Sequence, residues 1–404
     1  MIIGIIGGGA SGMAAAITAS QNPENRVVVF ERQSRVGKKL LATGNGRCNL
    51  TNINALKKGY HGEQPEFAQF ALREMSPEKT LSWFRDLGLY TVCELSGRAY
   101  PYSDQANSVV DVLRFALQKQ NVTLYTSYDV QKIRKNEEGF TIDNGEMPVF
   151  CDRLIVACGG LAGTKLGGSM AGYKLLGKLG HKSTRLRPTL VQLKSQWKGI
   201  SALKGVRCNC YVKILKDGEV FSQSVGEIQF TDYGLSGPAI FEVSRDVCYG
   251  VGNWQAVLDF LPEMSAQEIL KELQRRANTD LLAEELLTGI LHNRLGRVLI
   301  KVAGLRNDIA IRELSEQELE AVCTAVKHFE ISLDEPMGMD SAQVTAGGVY
   351  TCDFNPETME SKLVPGLYAC GEVLDIDGDC GGYNLQWAWS SGYLAGISAG
   401  KETV

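Results

Sequence analysis

The sequence predicts an α/β fold: a Rossmann-like domain, interrupted by an inserted antiparallel β domain and a small helical domain, and completed at its C-terminal end. Three observations carry this reading. The chain opens on an apolar run, Ile2-Ile3-Gly4-Ile5-Ile6, which enters a Gly7-x-Gly9-x-x-Gly12 turn and continues as a small-residue helical stretch. A second apolar run, Val27-Val28-Val29-Phe30, then closes on Glu31, nineteen residues after the last glycine. From about residue 187 the character shifts to alternating patterns (Val206–Ile214, Glu219–Val225, Trp254–Phe260), as half-buried antiparallel strands require. Another apolar strand, Gly366 to Glu372, and a small-residue helix from Tyr383 to about Ala399 follow near the end. At 404 residues the chain exceeds the roughly 250–300 at which one core stops growing. The expected division is residues 1–186 and 341–404 for the two parts of the first domain, 187–262 and 310–340 for the β insertion, and 263–309 for the helical domain.

The glycines of the opening turn serve different purposes, namely a tight turn, close approach of the backbone to a pyrophosphate, and close packing of helix on strand. Gly7, Gly9, Ala10, Ser11 and Gly12 would then present helix N-terminal amides to the phosphates. Glu31 stands where a carboxylate accepts from a ribose 2′-hydroxyl, which favours FAD or NAD over NADP. FAD ranks above NAD because of the C-terminal return. A strand ending in Gly371-Glu372 and a helix starting near Tyr383 would aim amides at the flavin pyrimidine, where negative charge gathers on reduction. No second glycine turn is backed by strand, helix and acid, since the glycines of 159–168 fall in the wrong register. Any NAD(P)H would therefore bind only transiently, as an electron donor.

Between the first two strands and the insertion lies an unusual loop, Gly37 to Asn52, containing Gly44-Asn45-Gly46-Arg47-Cys48-Asn49-Leu50-Thr51-Asn52. Two helices are expected after it, the first opened by Ser76-Pro77-Glu78 as N-cap, first helical residue and first-turn acid. Strands are expected near 122–130, 139–143 and 149–158, the last running from Phe150 to Cys158. Eleven cysteines without paired spacing, several in apolar runs, read as reduced thiols of a cytoplasmic protein. Cys208-x-Cys210 would alternate along one strand, and the four histidines are isolated, so no metal site is expected. No stretch approaches a membrane span, and no stable protein partner is evident. Net charge is only −4, yet Lys182 to Lys216 carries nine bases and no acid, with Trp197 and Tyr211 interleaved. Such a stretch could track phosphates while its aromatic rings stack bases, or could be a solvated basic face.

The Gly44–Asn52 loop, Thr231-Asp232-Tyr233-Gly234-Leu235-Ser236-Gly237-Pro238-Ala239, Thr345-Ala346-Gly347-Gly348-Val349 and the Cys370–Gln386 tail together resemble one family along nearly the whole chain. It is the flavoprotein family that groups the bacterial ribosomal RNA dihydrouridine synthase with the bile-acid-inducible flavoprotein, also described as aminoacetone-oxidase-like. Asn45 stands where many relatives carry glycine, and Cys158 where threonine is common. The resemblance implies a Rossmann-like FAD-binding domain in a three-domain build and reduction of a conjugated C=C bond. The first substrate expectation is uridine in 23S ribosomal RNA; a small enone such as a steroid or bile-acid intermediate is the alternative. A flavin-bearing RNA-binding or redox-sensing protein with little turnover is a third. Besides the glycine turn and Glu31, the residues expected at the cofactor are Arg32, Lys39, Gly44, Asn45, Gly46, Arg47, Val130, Ala157, Gly159, Gly371, Glu372, Asp375, Gly382, Tyr383, Asn384 and Leu385. Arg47, Cys48 and Asn49 are the catalytic candidates. Beside Arg47 a thiol would have a lowered pKa, making Cys48 a proton donor or a redox-sensitive bystander; equally, it could be a small residue packing the loop against the flavin.

Overall fold

The computed structural model describes residues 1–401 except Lys58, Asn121 and Asn278. They form two compact units, Met1–Pro188 with Gln343–Val404, and Thr189–Ala342.

In the first unit five parallel strands lie in the order Leu367–Ala369, Arg153–Val156, Ile2–Ile6, Arg26–Phe30, Thr123–Tyr125. The register Ile5 to Val29 on one side and Ile5 to Ile155 on the other places the opening strand at the centre. Its side chains are buried on both faces, which explains an apolar run without alternation. The helix Ala10–Ala19 packs along the C-terminal helix Tyr383–Gly400 with backbones almost in contact. A Cβ on Gly392 would sit 2.3 Å from the Ser11 carbonyl oxygen, and one on Gly396 would sit 2.5 Å from that of Ala15.

The expected strand Phe150–Cys158 is two strands. Val149–Cys151 closes a three-stranded antiparallel sheet with Phe140–Asp143 and Lys132–Lys135, and Arg153–Val156 then enters the parallel sheet. The break falls at Asp152, whose carboxylate accepts from the Ile2 amide at 2.6 Å. The helix opened by Ser76 (Pro77–Asp86) forms with the expected cap, but Ala68–Glu74 precedes it, so it is the second helix after the loop.

The C-terminal helix is buried on nearly all sides and carries no charged residue. Its polar groups are used internally. Gln386 Nε2 shares its two hydrogens among the Met75 carbonyl at 2.7 Å, Thr80 Oγ1 at 2.9 Å and Ser390 Oγ at 2.8 Å, and its Oε1 accepts from Thr51. Trp389 Nε1 donates to the Leu50 carbonyl, Trp387 Nε1 to the Gly371 carbonyl, and Ser391 Oγ accepts from the Gly371 amide.

The second unit is built on a six-stranded antiparallel sheet in the order Leu193–Lys194, Gly234–Ser236, Glu219–Phe230, Arg207–Lys216, Trp254–Asp259, Phe329–Leu333. The alternation read in the sequence is explained by Cys210, Val212 and Ile214, which point into the core from Arg207–Lys216. Helices Ala266–Arg276 and Glu316–Lys327 both begin at Ser-x-x-Glu capping boxes, Ser265 with Glu268 and Ser315 with Glu318. Sheet and helices of this unit share one apolar core.

Gln386→Leu removes the shared partner of four buried polar groups. An expected loss of about 2–4 kcal/mol follows from leaving such groups unpaired, measurable by urea denaturation. A loss below about 0.5 kcal/mol would show that the network does not hold this helix.

Candidate functional site

The glycine turn lies at the carboxyl end of the central strand, between strand Arg26–Phe30 and strand Arg153–Val156. The Gly7 amide donates to the Phe30 carbonyl at 2.8 Å. A Cβ on Gly7 would fall 2.3 Å from the Ala157 carbonyl oxygen, and one on Gly12 only 1.8 Å from the Gly7 carbonyl oxygen. Gly9, in contrast, has nothing within 4 Å of that position. The turn is thus closed on the protein side and open above Gly9, where helix Ala10–Ala19 begins without a capping side chain.

Glu31 lies over the same turn. Its Oε2 accepts from the Gly8 amide at 2.8 Å and its Oε1 from the Gln33 amide at 2.7 Å. Arg32 donates to the Gly167 carbonyl at 2.7 Å, tying the loop after Gly159 to the second strand. Lys39 forms a 2.8 Å ion pair with Glu372, whose other oxygen accepts from the Thr345 amide at 2.8 Å. That pair joins the Gly37–Asn52 loop to the returning strand. Gly371 stands beside the turn, where a Cβ would lie 2.5 Å from Ser11 Oγ. Gly159 has open space at its Cβ position. Ala157 is buried against the turn, and Val130 is buried in the same unit's core.

Within the Gly44–Asn52 loop, Gly44 and Asn45 both take positive φ, 56° and 57°. Arg47 turns away from Cys48. Its guanidinium bonds Asp104 and Glu94 and stacks 3.9 Å above the Tyr100 ring. The Asp104 bond raises its pKa further. Cys48 is fully buried, and burial pushes its thiol up to about 12, opposed only by the bond to Thr43. The lowered thiol pKa expected beside Arg47 is therefore not found: the cation is neutralised elsewhere, and desolvation dominates. Asn49 is buried with its Oδ1 lacking any partner. A buried amide oxygen left unpaired is costly, so a donor from outside the chain fits there.

The start of the C-terminal helix faces this loop. Gly382 takes φ 105°, and a Cβ there would lie 2.4 Å from the Thr51 carbonyl carbon. Asn384 spends its amide on Gly378, accepting from its nitrogen at 2.8 Å and donating to its oxygen at 2.7 Å. Asp375 accepts from the Glu63 amide at 3.0 Å, and burial raises its pKa. Tyr383 and Leu385 are half-buried in the first turn. The glycine turn, Glu31, Ala157, Gly371, the Gly44–Asn52 loop and the helix start thus lie in the same unit and are linked by these contacts.

Three residues outside the sequence-derived set enter here. His61 pairs with Asp379 at 2.7 Å on the two-stranded pairing of Tyr60–His61 with Asp377–Gly378. Arg98 packs against Gly381. Gln386 anchors Thr51. Arg98 and His61 gave no signal in a single sequence because their partners are far along the chain.

FAD fits these residues. Gly9 leaves room for a pyrophosphate over a helix N-terminus, Glu31 offers a carboxylate at the end of the second strand, and the orphan Asn49 Oδ1 lies in the loop facing the final helix.

The basic stretch is partly compensated and divided. Lys182, Arg185 and Arg187 belong to the first unit and the other six bases to the second. Lys204 pairs with Asp232 at 2.7 Å and Arg207 with Glu227 at 3.6 Å, while Lys216 lies over Phe221 and Trp254. Asp232 and Glu227 thus offset two of the nine bases. Among the described residues no helix is long and apolar enough to cross a membrane.

The HI0933-like protein Rossmann domain family matches residues 1–398. A 3-dehydro-bile acid delta(4,6)-reductase of Clostridium scindens is 41% identical over 406 residues, covering 99% of each chain. A ribosomal RNA dihydrouridine synthase of Escherichia coli is 32% identical and covers 96% of this chain and 95% of its own. Among solved structures, a 3-ketosteroid delta1-dehydrogenase from Sterolibacterium denitrificans matches at a TM-score of 0.52 with 11% identity, covering 98% of this chain and 99% of that one, a likeness of fold.

Two outcomes check this geometry. Glu31→Ala weakens FAD binding by about 1–3 kcal/mol, the scale of lost bonds to ribose hydroxyls, measured by fluorescence titration of the apoprotein. With its pKa pushed up to about 12, Cys48 holds only about one part in ten thousand of thiolate at pH 8. Iodoacetamide on the native protein should then label exposed Cys93 and Cys352 and spare Cys48. Rapid labelling of Cys48 would contradict its burial.

Proposed function

The chain belongs to the HI0933-like family and is an FAD-dependent oxidoreductase; from that premise we propose that it reduces a carbon–carbon double bond conjugated to a carbonyl group, with a small steroid-like enone as substrate. The observation that carries the substrate class is the 41% identity, end to end, with a protein named as a bile-acid delta(4,6)-reductase. The pairing of Lys204 with Asp232 and of Arg207 with Glu227 supports the same choice, because it leaves fewer free bases for a phosphate backbone, and an uncharged ring system needs no phosphate-tracking surface.

FAD, when bound, supplies the hydride that such a reduction needs. The chain's own residues bind and orient it. The Gly7–Gly12 turn would offer amides to the pyrophosphate, the remaining acceptor capacity of Glu31 would take ribose hydroxyls, and Asn49 Oδ1 would accept a bond. Arg32 and the Lys39–Glu372 pair hold the surrounding loops together, with Val130, Ala157, Gly159, Gly371 and Asp375 lining the remainder. Gly382 lets helix Tyr383–Gly400 start against Thr51, where its first amides would face the pyrimidine. Asn384 holds the approach loop rather than the cofactor. Cys48 keeps its proton and packs the loop from beneath, while Arg47 clamps the loop from outside. Electrons arrive from transiently bound NAD(P)H, since the sequence carries one dinucleotide fingerprint.

Uridine in ribosomal RNA is the second reading. It is favoured by the relative named as a ribosomal RNA dihydrouridine synthase, 32% identical over 96% of this chain. Uracil also presents a C=C bond conjugated to a carbonyl, so the chemistry is shared and the substrates differ in charge.

Charge decides between them. Replacing Lys194, Lys198 and Lys204 together by alanine should leave kcat/KM for a 3-oxo-4-ene bile acid within about twofold, with almost no salt dependence. An RNA substrate would show a log–log salt slope of about −0.7 per phosphate contact, lowered in the triple variant. Loss of dihydrouridine from 23S ribosomal RNA in a deletion strain, with no turnover of the enone, would replace the first reading by the second.

A further inference from the structure

We propose that Arg98 is the cation that faces the pyrimidine edge of bound FAD and holds the negative charge the ring gains on reduction. This rests on the assignment of the Tyr383–Gly400 helix start to that edge.

Arg98 begins the strand Arg98–Pro101, opposite Asn52. Asn52 Nδ2 donates to the Gly381 carbonyl at 3.1 Å. A Cβ on Gly381 would lie 2.8 Å from Arg98 Nε and 3.3 Å from its Nη2, so the guanidinium lies directly on the Gly381 backbone. The next residue, Gly382, caps the helix. Arg98 is half-buried and makes no ion pair among the described residues. The neighbouring acids are engaged elsewhere: Glu94 and Asp104 by Arg47, and Asp379 by His61. The helix has no acid in its first turn and no capping side chain.

A partly desolvated cation beside the positive end of an 18-residue helix is unfavourable unless a negative or electron-rich group completes the place. Arg47, the cation singled out by the sequence, cannot fill that role, because two carboxylates already neutralise it. When a dihydronicotinamide delivers a hydride to flavin N5, two electrons and one proton enter the ring. The remaining negative charge settles on N1 and the C2 carbonyl, where Arg98 and the helix amides would stabilise it without a proton transfer. Passing the hydride on to the substrate β-carbon returns the ring to its neutral oxidised form. The electron pair of the double bond takes a proton from solvent water at the α-carbon.

Sodium sulfite provides a probe independent of turnover, since its adduct at N5 places the same negative charge on the ring. In the holoenzyme, Arg98→Gln should retain FAD, bind sulfite at least tenfold more weakly and show a lower midpoint potential in a spectroelectrochemical titration. Arg98→Lys should restore sulfite affinity to within a few-fold of wild type. Wild-type sulfite affinity and potential in an FAD-replete Arg98→Gln protein would overturn the assignment. If Arg98→Gln does not retain FAD, Arg98→Lys decides: affinity as poor as that of a charge-free site overturns it, and near-wild-type affinity supports it. Failure to reduce an enone, with these sulfite results intact, would strike the substrate reading alone.

Discussion

The candidate site depends on one buried amide. Gln386 lies in a helix with no charge of its own, and its side chain joins the Gly44–Asn52 loop through Thr51 to the preceding helices through Met75 and Thr80. Two tryptophans beside it donate to Leu50 and to Gly371. A single helix therefore sets the loop that follows the first βαβ unit and the strand that returns from the insertion. Satisfied buried polar groups of this kind are specific as well as stabilising, because each has only one geometry in which all its bonds are made. The small residues Gly392 and Gly396 let that helix lie against Ala10–Ala19, so the same element braces the glycine turn.

Electrostatics then separates residues that look equivalent in sequence. Arg47 and Arg98 flank the same loop, yet one is spent on Asp104 and Glu94 and the other is left without a carboxylate. Glu31 and Glu372 are both acids at strand ends. Glu372 is committed to Lys39 and Thr345, whereas Glu31 holds only the Gly8 and Gln33 backbone amides. Cys48 shows the cost of reading charge from adjacency alone: its neighbour's guanidinium points elsewhere, and burial outweighs the Thr43 bond in setting its thiol.

What was legible in the sequence is what local chemistry determines. The Gly7–Gly12 turn follows from sterics between residues a few positions apart, and the alternation of the second unit's strands follows from one face being buried. The split at Asp152 was hidden because both halves of the run are apolar, and only the long-range bond to Ile2 divides them. The pairing of His61 with Asp379 and the seating of Arg98 on Gly381 depend on residues more than 280 positions away, so no local pattern signals them. The basic run from Lys182 to Lys216 shows the same limit: Asp232 and Glu227, which pair with two of its nine bases, lie beyond its end in sequence and beside it in the fold.

The proposed reaction is hydride transfer from the flavin to a conjugated double bond of a small enone. Anaerobic stopped-flow mixing of the reduced holoenzyme with a 3-oxo-4-ene bile acid tests it most directly, with flavin absorbance as the signal. The expected result is a single saturable phase of flavin reoxidation yielding one equivalent of the 4,5-saturated ketone. A flavin that stays reduced in saturating enone, but is reoxidised by a uridine-containing ribosomal RNA fragment, would contradict it.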